Sequence, residues 1–388
     1  MRILFVISEL TLGGAQKQVV ELAAQMVHRG HDVAIYTLNG DVPRKPELDG
    51  RGVGLYIDQK RSRLDPAVLY RLRRTISRWR PDVVHSFLFD ADFYARVAAI
   101  GSGVPVINSE RNADYHLTTL QKLAQRLTRT LARGVVANTF SGKQFAERLF
   151  ALPPNDVHVV WNGIRLDEIQ RQARTTINYR EMFFGPGVYR IACLVAAIKP
   201  QKDYHLALDV AAQLVSKNPE WRVLFLGDKL SAPGPYKAGA GSETTDYKEA
   251  VVKHYQGLGL SDKIKFAGLR GDVPAIVSQS DVLYMTSAHE GFPNAVLEAM
   301  ALGIPVASTD YSDIRRILPL SAQVAASRNP EDVAQTVIWA CNEGELIASK
   351  QKEWVCANAT IEKAASSLEN VYRKYIRPPI LVPAGEPC

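Results

Sequence analysis

Two carboxylates eight residues apart stand on either side of a short turn in the second half of the chain, in the run Glu290-Gly-Phe-Pro-Asn-Ala-Val-Leu-Glu298. The apolar segment before this run, residues 281–287, predicts a buried strand, and the apolar residues after Pro293 predict a helix. The first amides of a helix lack intrahelical partners and carry a partial positive charge. The segment therefore combines two acids with a helix start that suits a phosphate.

The spacing divides these groups between a helix face and a loop. Asn294 and Glu298 are four residues apart and share one face of the predicted helix. Glu290 stays on the loop at the carboxyl end of the strand, where open α/β sheets bind ligands. One carboxylate can bind ribose hydroxyls, the amides a diphosphate, and the other carboxylate a sugar. A nucleotide sugar is the simplest ligand with those parts.

Strands and helices alternate along the whole chain, which predicts an α/β protein with parallel, doubly wound sheets. The first series begins at the apolar run Arg2–Ser8. A second begins at the apolar run Arg190–Ala197 and continues with the helix Tyr204–Lys217. Residues 167–187 lack buried periodicity and are expected to connect two Rossmann-like sheets.

Length and composition are those of a soluble globular protein with two domains or one large one. A chain of 388 residues usually forms two domains or one large one. No apolar run approaches the roughly 18–20 residues that cross a bilayer. The four cysteines are far apart, so a disulfide framework or a zinc site is not expected and a reducing cytoplasm fits.

The charge is concentrated in the first half of the chain. Residues 1–185 carry 26 Lys and Arg against 18 Asp and Glu, a net charge of +8, and the remainder carries −1. Much of the excess lies in residues 60–80 and 122–133. It indicates either an anionic membrane surface as a partner or a solvated helix face, and the sequence leaves both open. Nucleic acid is disfavoured, because no basic platform interleaved with aromatic residues accompanies the charge.

The run from Glu290 to Glu298 resembles the Glu-x7-Glu motif of retaining glycosyltransferases, in particular glycosyltransferase family 4 with the GT-B fold. The resemblance covers nearly the whole chain and implies two Rossmann-like domains facing a cleft. Residues 1–170 would bind the acceptor and residues 186–364 the nucleotide sugar. A last helix, about 365–376, would cross back to the first domain. The proline-rich residues 377–388 are expected to form a flexible tail.

The resemblance also implies a donor site in the second domain. Glu298 would hold the ribose, and Glu290 with the Gly291 and Phe292 backbone would orient the donor sugar. The diphosphate would meet Lys202 and the amides from Asn294 and Ala295 onward. The base would lie near the backbone of Leu269 and Arg270.

This donor site departs from the family at one position. The family's usual Arg, five residues before the Lys, is Ala197 here. Lys199 either replaces that cation or is merely exposed on the loop. A missing cation would weaken diphosphate binding and stabilise the leaving group less well.

Candidates in the first domain follow predicted strands. The turn Gly13-Gly14 looks like the family's first glycine loop, which faces donor phosphate and acceptor. His85, Glu110 and Asn112 are candidates for the acceptor side, although a lone His at a strand end is more often structural. Arg111 joins Glu290 and Lys202 as a candidate catalytic residue. It could pair with Glu110 or hold donor or acceptor.

The predicted activity is retaining transfer of a sugar from a nucleoside-diphosphate sugar, with UDP favoured over GDP. The acceptor would be a glycan or lipid-linked glycan in bacterial surface polysaccharide synthesis, and no metal or other cofactor is expected. The enzyme would be cytoplasmic, with peripheral attachment to the inner face of the plasma membrane suggested by its charge. Two alternatives remain: a GT-B-type sugar-nucleotide epimerase, and a degenerate, non-catalytic partner subunit suggested by Ala197.

Overall fold

A computed structural model describes residues 1–62, 64–111, 118–150, 153–228, 230 and 242–376. Asn112 and the tail 377–388 lie outside the described residues. The chain divides into two compact units. The first contains Met1–Gly163 together with the chain from Ile361 onward, and the second contains Ile164–Thr360. No helix of the described residues is long and apolar enough to span a membrane.

The first unit is a parallel sheet of seven strands in the order β3-β2-β1-β4-β5-β6-β7. Its strands are β1 Arg2–Ile7, β2 Asp32–Thr37, β3 Gly54–Ile57, β4 Val83–Phe87, β5 Val106–Glu110, β6 Gly134–Ala137 and β7 Val157–Val159. Its helices include α1 Gly14–His28, α2 Pro66–Trp79, α3 Phe89–Ala98, α4 Thr119–Thr128 and α5 Phe140–Phe150. The strand order reverses between β1 and β4, where Phe5 pairs with His85. The carboxyl ends of these two strands therefore form a topological switch point, the usual ligand position in such sheets.

The second unit is a parallel sheet of five strands in the order β10-β9-β8-β11-β12. Its strands are β8 Arg190–Ala196, β9 Trp221–Gly227, β10 Ile264–Gly268, β11 Val282–Met285 and β12 Val306–Ser308. Its helices are α6 Leu166–Ala173, α7 Tyr179–Phe184, α8 Tyr204–Lys217, α9 Ser242–Leu258, α10 Val273–Val277, α11 Asn294–Leu302, α12 Ile314–Ile317, α13 Pro330–Asn342 and α14 Gly344–Asn358. Here the order reverses between β8 and β11, so the loops after these two strands lie at the switch point.

The ends of β8 and β9 approach closely at one glycine. Gly227 has φ +149°, and a Cβ at this position would lie 1.9 Å from the carbonyl oxygen of Ala196. That oxygen accepts a hydrogen bond of 2.6 Å from the Tyr204 hydroxyl at the start of α8. Only glycine fits here, which fixes the strand ends from which the following loops depart.

The last helix, α15 Ile361–Tyr375, belongs to the first unit. It begins four residues before the predicted position. Its buried residues, Leu368 among them, join the core that contains Phe5 of β1. Glu369 accepts hydrogen bonds from Arg29 at 2.6 Å and from Arg373 at 2.5 Å. The apolar face of the helix therefore packs on the sheet, and its buried acid connects it to Arg29 at the end of α1.

The connection between the units differs from the prediction. Residues 167–187, which were expected to connect the two sheets without buried periodicity, include most of α6 and all of α7, and the first unit ends at Gly163 rather than at residue 170. The Tyr179 hydroxyl donates to Asp272 at 2.5 Å, and Arg180 donates to Asp281 at 3.0 Å. These polar anchors hold the segment to the second unit. The helices were missed because they are short and bury few apolar residues, such as Ile169 in α6.

Candidate active site

The second unit brings two predicted residues together: Lys202 forms an ion pair with Glu290. Lys202 ends a short 3-10 turn after β8, and Glu290 lies on the loop after β11. The Glu290 side chain is 9% exposed, and its Oε1 also accepts a hydrogen bond of 2.6 Å from Ser287. A cation and an acid that are far apart in sequence thus meet at the switch point of the sheet.

Backbone contacts hold the two loops together. Thr286 donates through its hydroxyl to the Lys202 carbonyl at 2.9 Å, and the Ala288 amide donates to the Gln201 carbonyl at 2.8 Å. Arg328 donates to the carbonyl of Ser287 at 2.8 Å and to the carboxylate of Asp203 at 2.6 Å. The sequence analysis missed Arg328, since it precedes α13 without any motif. These hydrogen bonds fix the positions of the two loops that carry Lys202 and Glu290.

Lys199 lies close to Lys202 on the same loop. Burial lowers the pKa of Lys199, and the positive charge of Lys202 lowers it further, while Asp228 acts in the opposite direction. Asp228 also accepts a hydrogen bond of 2.9 Å from the Ile198 amide. A half-buried ammonium group whose charge is opposed in this way would be stabilised by an anion placed beside it. Ala197 itself offers no cation.

The helix α11 begins shortly after Glu290 in the sequence. It begins at Asn294, and the residue before it, Pro293, provides no capping side chain. The first backbone amide bonded within the helix is that of Leu297, which donates to the Pro293 carbonyl at 3.2 Å. Asn294, Ala295 and Glu298 are half-buried, whereas the Gly291 and Phe292 positions are buried. The helix start has no side-chain cap from its N-cap residue, and the first turn of a helix is a place where backbone amides can bind an anion.

Leu269 and Arg270, the residues predicted to lie near the base, follow β10 directly. Leu269 is exposed. The Arg270 side chain is already engaged, because its Nε donates to Asp272 at 2.8 Å and its guanidinium lies 5.8 Å from the centre of the Tyr179 ring. This leaves the backbone of the two residues, rather than the Arg270 side chain, as the group available to a base.

In the first unit, the turn Gly13-Gly14 leads into α1. Gly13 is the N-cap residue and makes no side-chain cap, as glycine must. Gln18, one turn into the helix, exchanges two hydrogen bonds with the backbone of Gly163, at 2.9 and 3.1 Å. The glycine turn is thereby tied to the Trp161-Asn162-Gly163 segment, a connection that the sequence analysis did not predict.

His85 is fully buried and both ring nitrogens are engaged. Nδ1 is hydrogen bonded with the Tyr372 hydroxyl at 2.5 Å, and Nε2 with the Ser109 hydroxyl at 2.7 Å. Burial, and then the charge of Arg111, lowers the pKa of His85 well below its usual value. His85 is therefore a neutral, buried residue that joins β4 to α15.

Arg111 is a buried cation at the end of β5. Its Nη1 donates to Asn162 at 2.7 Å, and its guanidinium lies 5.0 Å from the centre of the Phe87 ring. Burial lowers the pKa of Arg111 to about 10. Its Nε lacks a hydrogen-bond partner, and no described residue supplies it with a salt bridge. Glu110 lies beside it in β5 with a half-buried side chain. Such a guanidinium can accept an anion without first breaking an ion pair with any residue that the structure describes.

Comparisons with known proteins agree with this architecture. Residues 12–168 match the model of Glycosyltransferase Family 4, and residues 180–358 match that of Glycosyl transferases group 1. The GDP-mannose:cellobiosyl-diphosphopolyprenol alpha-mannosyltransferase of Xanthomonas oryzae is 23% identical over 83% of this chain and 82% of its own length. The D-inositol 3-phosphate glycosyltransferase of Streptosporangium roseum is 23% identical over 84% of this chain and 79% of its own.

Solved structures share the fold over almost the whole chain. Anabaena HepE, crystallised in complex with UDP-glucose, matches 96% of this chain and 100% of its own with a TM-score of 0.80 at 17% identity. Two parallel-sheet α/β units with this likeness establish the GT-B fold. The two family models together cover most of the chain, from residue 12 to residue 358. The chain is a glycosyltransferase and belongs to glycosyltransferase family 4.

Proposed function

We propose that this glycosyltransferase transfers a hexosyl group from a nucleoside-diphosphate sugar, with UDP favoured over GDP, and retains the configuration of the sugar. The acceptor is a glycan or lipid-linked glycan of a bacterial surface polysaccharide. The observation that carries the proposal is the Lys202–Glu290 pair at the β8/β11 switch point, with Lys199 on the same loop.

The donor's groups match what the second unit offers. The diphosphate is bound by Lys202, Lys199 and the first amides of α11, all of which supply positive charge. Glu298, four residues after Asn294 on that helix, binds the ribose hydroxyls. Glu290, fixed by Ser287, orients the donor sugar together with the backbone of Gly291 and Phe292.

The preference for UDP is supported by the structural neighbour rather than by a side chain. HepE was crystallised with UDP-glucose, whereas the Xanthomonas relative is named for GDP-mannose. In this chain the base would meet the backbone after β10, since the Arg270 side chain is occupied by Asp272.

The proposed chemistry is chiefly electrostatic. The acceptor hydroxyl attacks the anomeric carbon on the face from which the diphosphate departs, and a leaving phosphate oxygen takes the hydroxyl proton. The bond from the anomeric carbon to that oxygen breaks as the new glycosidic bond forms. Lys202, Lys199 and the helix amides stabilise the charge that builds on the diphosphate. No metal ion is required in this scheme.

The first unit is proposed to bind the acceptor. Arg111, with its unpaired Nε, is suited to an anionic group of that acceptor or of the donor. The acceptor's lipid carrier and the basic first half lead us to propose a cytoplasmic enzyme attached peripherally to the inner face of the plasma membrane.

Calorimetric titration with UDP, GDP and ADP tests the donor assignment. We expect selective binding of UDP by the wild-type protein and loss of that binding in Glu298→Ala. Glu353→Ala, which removes an exposed acid from α14 of the same unit, is the matched control and should bind as the wild type does.

The outcomes separate the remaining functions. Selective binding of GDP would correct the base but keep the reaction. No binding by any nucleotide would contradict the proposal and favour a degenerate subunit. Consumption of UDP-sugar to an isomeric UDP-sugar without acceptor would instead indicate an epimerase.

A further inference from the structure

The helix α4 and the turn that follows it expose a row of leucines. Leu123, Leu127 and Leu131 are spaced four residues apart and are 50%, 71% and 38% exposed. The first two lie on one face of the helix, and Leu131 continues the row in the 3-10 turn Arg129–Leu131. We name this row the leucine face. Exposed apolar groups in a row mark an interaction surface more often than scattered ones do.

The opposite side of α4 is polar where it packs on the domain. Gln125 is 5% exposed and accepts a hydrogen bond from Arg96, which is itself 4% exposed. Thr128 accepts a second hydrogen bond from Arg96 at 3.2 Å. A surface helix of a globular protein ordinarily buries its apolar stripe and exposes its polar one. Here the arrangement is inverted, so the leucine face serves a partner outside the domain.

The charges around the leucine face identify that partner. Residues 118–133 contain no Asp or Glu and four cations: Lys122, Arg126, Arg129 and Arg133. Lys122, Arg126 and Arg133 are exposed. A helix with leucines on one face and flanking cations is suited to the boundary between anionic headgroups and acyl chains. A second copy of the chain is disfavoured, because a two-fold contact would bring the same cations against each other.

We infer that α4 is the membrane-docking element of this protein: its leucine face enters an anionic bilayer while the adjacent cations bind lipid phosphates. This inference rests on the proposed membrane attachment and names the surface responsible for it. Arg96 holds the polar side of α4 through Gln125 and Thr128, so docking needs no rearrangement of the helix.

Vesicle co-sedimentation of the full chain tests the inference. The probes are phosphatidylcholine vesicles with and without phosphatidylglycerol. Wild type should bind only the anionic vesicles, and less at high salt. The double variant Leu123→Gln and Leu127→Gln keeps helix-forming residues and should lower the partition coefficient about tenfold or more. The variant Arg126→Gln and Arg133→Gln should also lower it about tenfold.

Two matched controls make the result specific. Leu346→Gln removes an equally exposed leucine, 49%, from α14 of the second unit. The pair Arg74→Gln and Arg78→Gln removes two exposed arginines from α2. Both should bind anionic vesicles like the wild type. UDP titration of every variant shows that the donor site remains folded.

The outcomes are distinguishable. If wild type binds anionic vesicles and the leucine variant binds equally well, the inference is wrong although membrane attachment stands. If wild type binds no vesicles but binds UDP, both the inference and the attachment fail while the donor assignment survives. If the leucine variant converts a dimeric wild type to a monomer in size-exclusion chromatography, the leucine face binds a second copy and the inference is overturned.

Discussion

Replacing Lys202 by Met tests whether the Lys202–Glu290 pair is built for a diphosphate. The substitution keeps most of the side-chain volume and removes the charge. Lys202 is 17% exposed and Glu290 9%, so the Glu290 carboxylate would be left largely desolvated with the Ser287 hydroxyl at 2.6 Å. The variant therefore both removes a cation from the diphosphate and leaves an anion beside it.

The magnitude follows from these two effects. A charge-assisted hydrogen bond contributes about 1.5–3 kcal/mol, which corresponds to a loss of about 10- to 150-fold in UDP affinity. If a phosphate binds about 6 Å from Glu290, the residual charge of Glu290 adds about 1–3 kcal/mol of repulsion at an effective dielectric of about 20 to 80. UMP lacks the distal phosphate, and its affinity should fall less than about threefold.

A double-mutant cycle separates the two contributions. Glu290→Gln alone releases Lys202, so UDP affinity should stay the same or increase, while sugar transfer should fall sharply because the donor sugar loses its carboxylate. Combining it with Lys202→Met should restore the part of the loss that comes from repulsion. The cycle isolates the coupling between the two residues on UDP binding.

Calorimetry with UDP and UMP on all four proteins is the assay, with thermal unfolding as a check on the fold. Lys217→Met, at the far end of α8 in an exposed pair with Glu331 at 3.1 Å, is the control and should bind as the wild type does. Equal losses for UDP and UMP in Lys202→Met would refute the diphosphate contact. Additive effects in the cycle would show that the pair does not act as a unit.

Three further predictions concern the fold and the chemistry. Gly227→Ala should lower the free energy of unfolding by about 2–5 kcal/mol in urea titration, because its Cβ would overlap the Ala196 carbonyl; a neutral result would mean that β8 and β9 separate easily. Glu369→Gln should cost about 1–3 kcal/mol at pH 7. Hydrogen bonds from Arg373 and Arg29 hold the pKa of Glu369 at about 2 against an ordinary 4.5, so the wild-type advantage should be complete above pH 4.5 and disappear as the pH falls toward 2. An advantage that persisted at pH 2 would contradict this account. EDTA should leave sugar transfer unchanged, and activity that returned on adding Mg²⁺ or Mn²⁺ to a treated, inactive enzyme would refute metal independence.

Much of the fold could be predicted because its strands are buried on both faces and read as continuous apolar runs. The helix α8 was expected at Tyr204–Lys217 and is found there. The strand β3, Gly54–Ile57, was missed because it is an edge strand of only four residues, most of them exposed. The helix α9, Ser242–Leu258, was missed for a different reason: it follows a segment rich in Gly and Pro, which favours a loop.

The site was predictable where residues follow strands at a switch point. Lys202 and Glu290 were each selected from a local motif, but only the pairing of β8 with β11 brings them into contact. Arg328 could not be found, because its role is to join two loops that come together only in the fold. His85 shows the opposite error. A polar residue at a strand end looks available to a ligand, yet its partner Tyr372 comes from a helix 287 residues later and buries it.

Each unit contains a buried cation whose position bears on function. Lys199 in the second unit and Arg111 in the first both have a pKa lowered by desolvation. Burial therefore opposes the charge of each cation. A desolvated cation gains most from an anionic ligand, and perturbed groups of this kind are typical of functional sites. The sequence shows charge but not desolvation, so by itself it allows Lys199 to be either an exposed surface residue or a ligand of the diphosphate. Its burial beside Lys202 favours the ligand, and under the proposed function it would supply, near the Ala197 position, a second cation for the diphosphate.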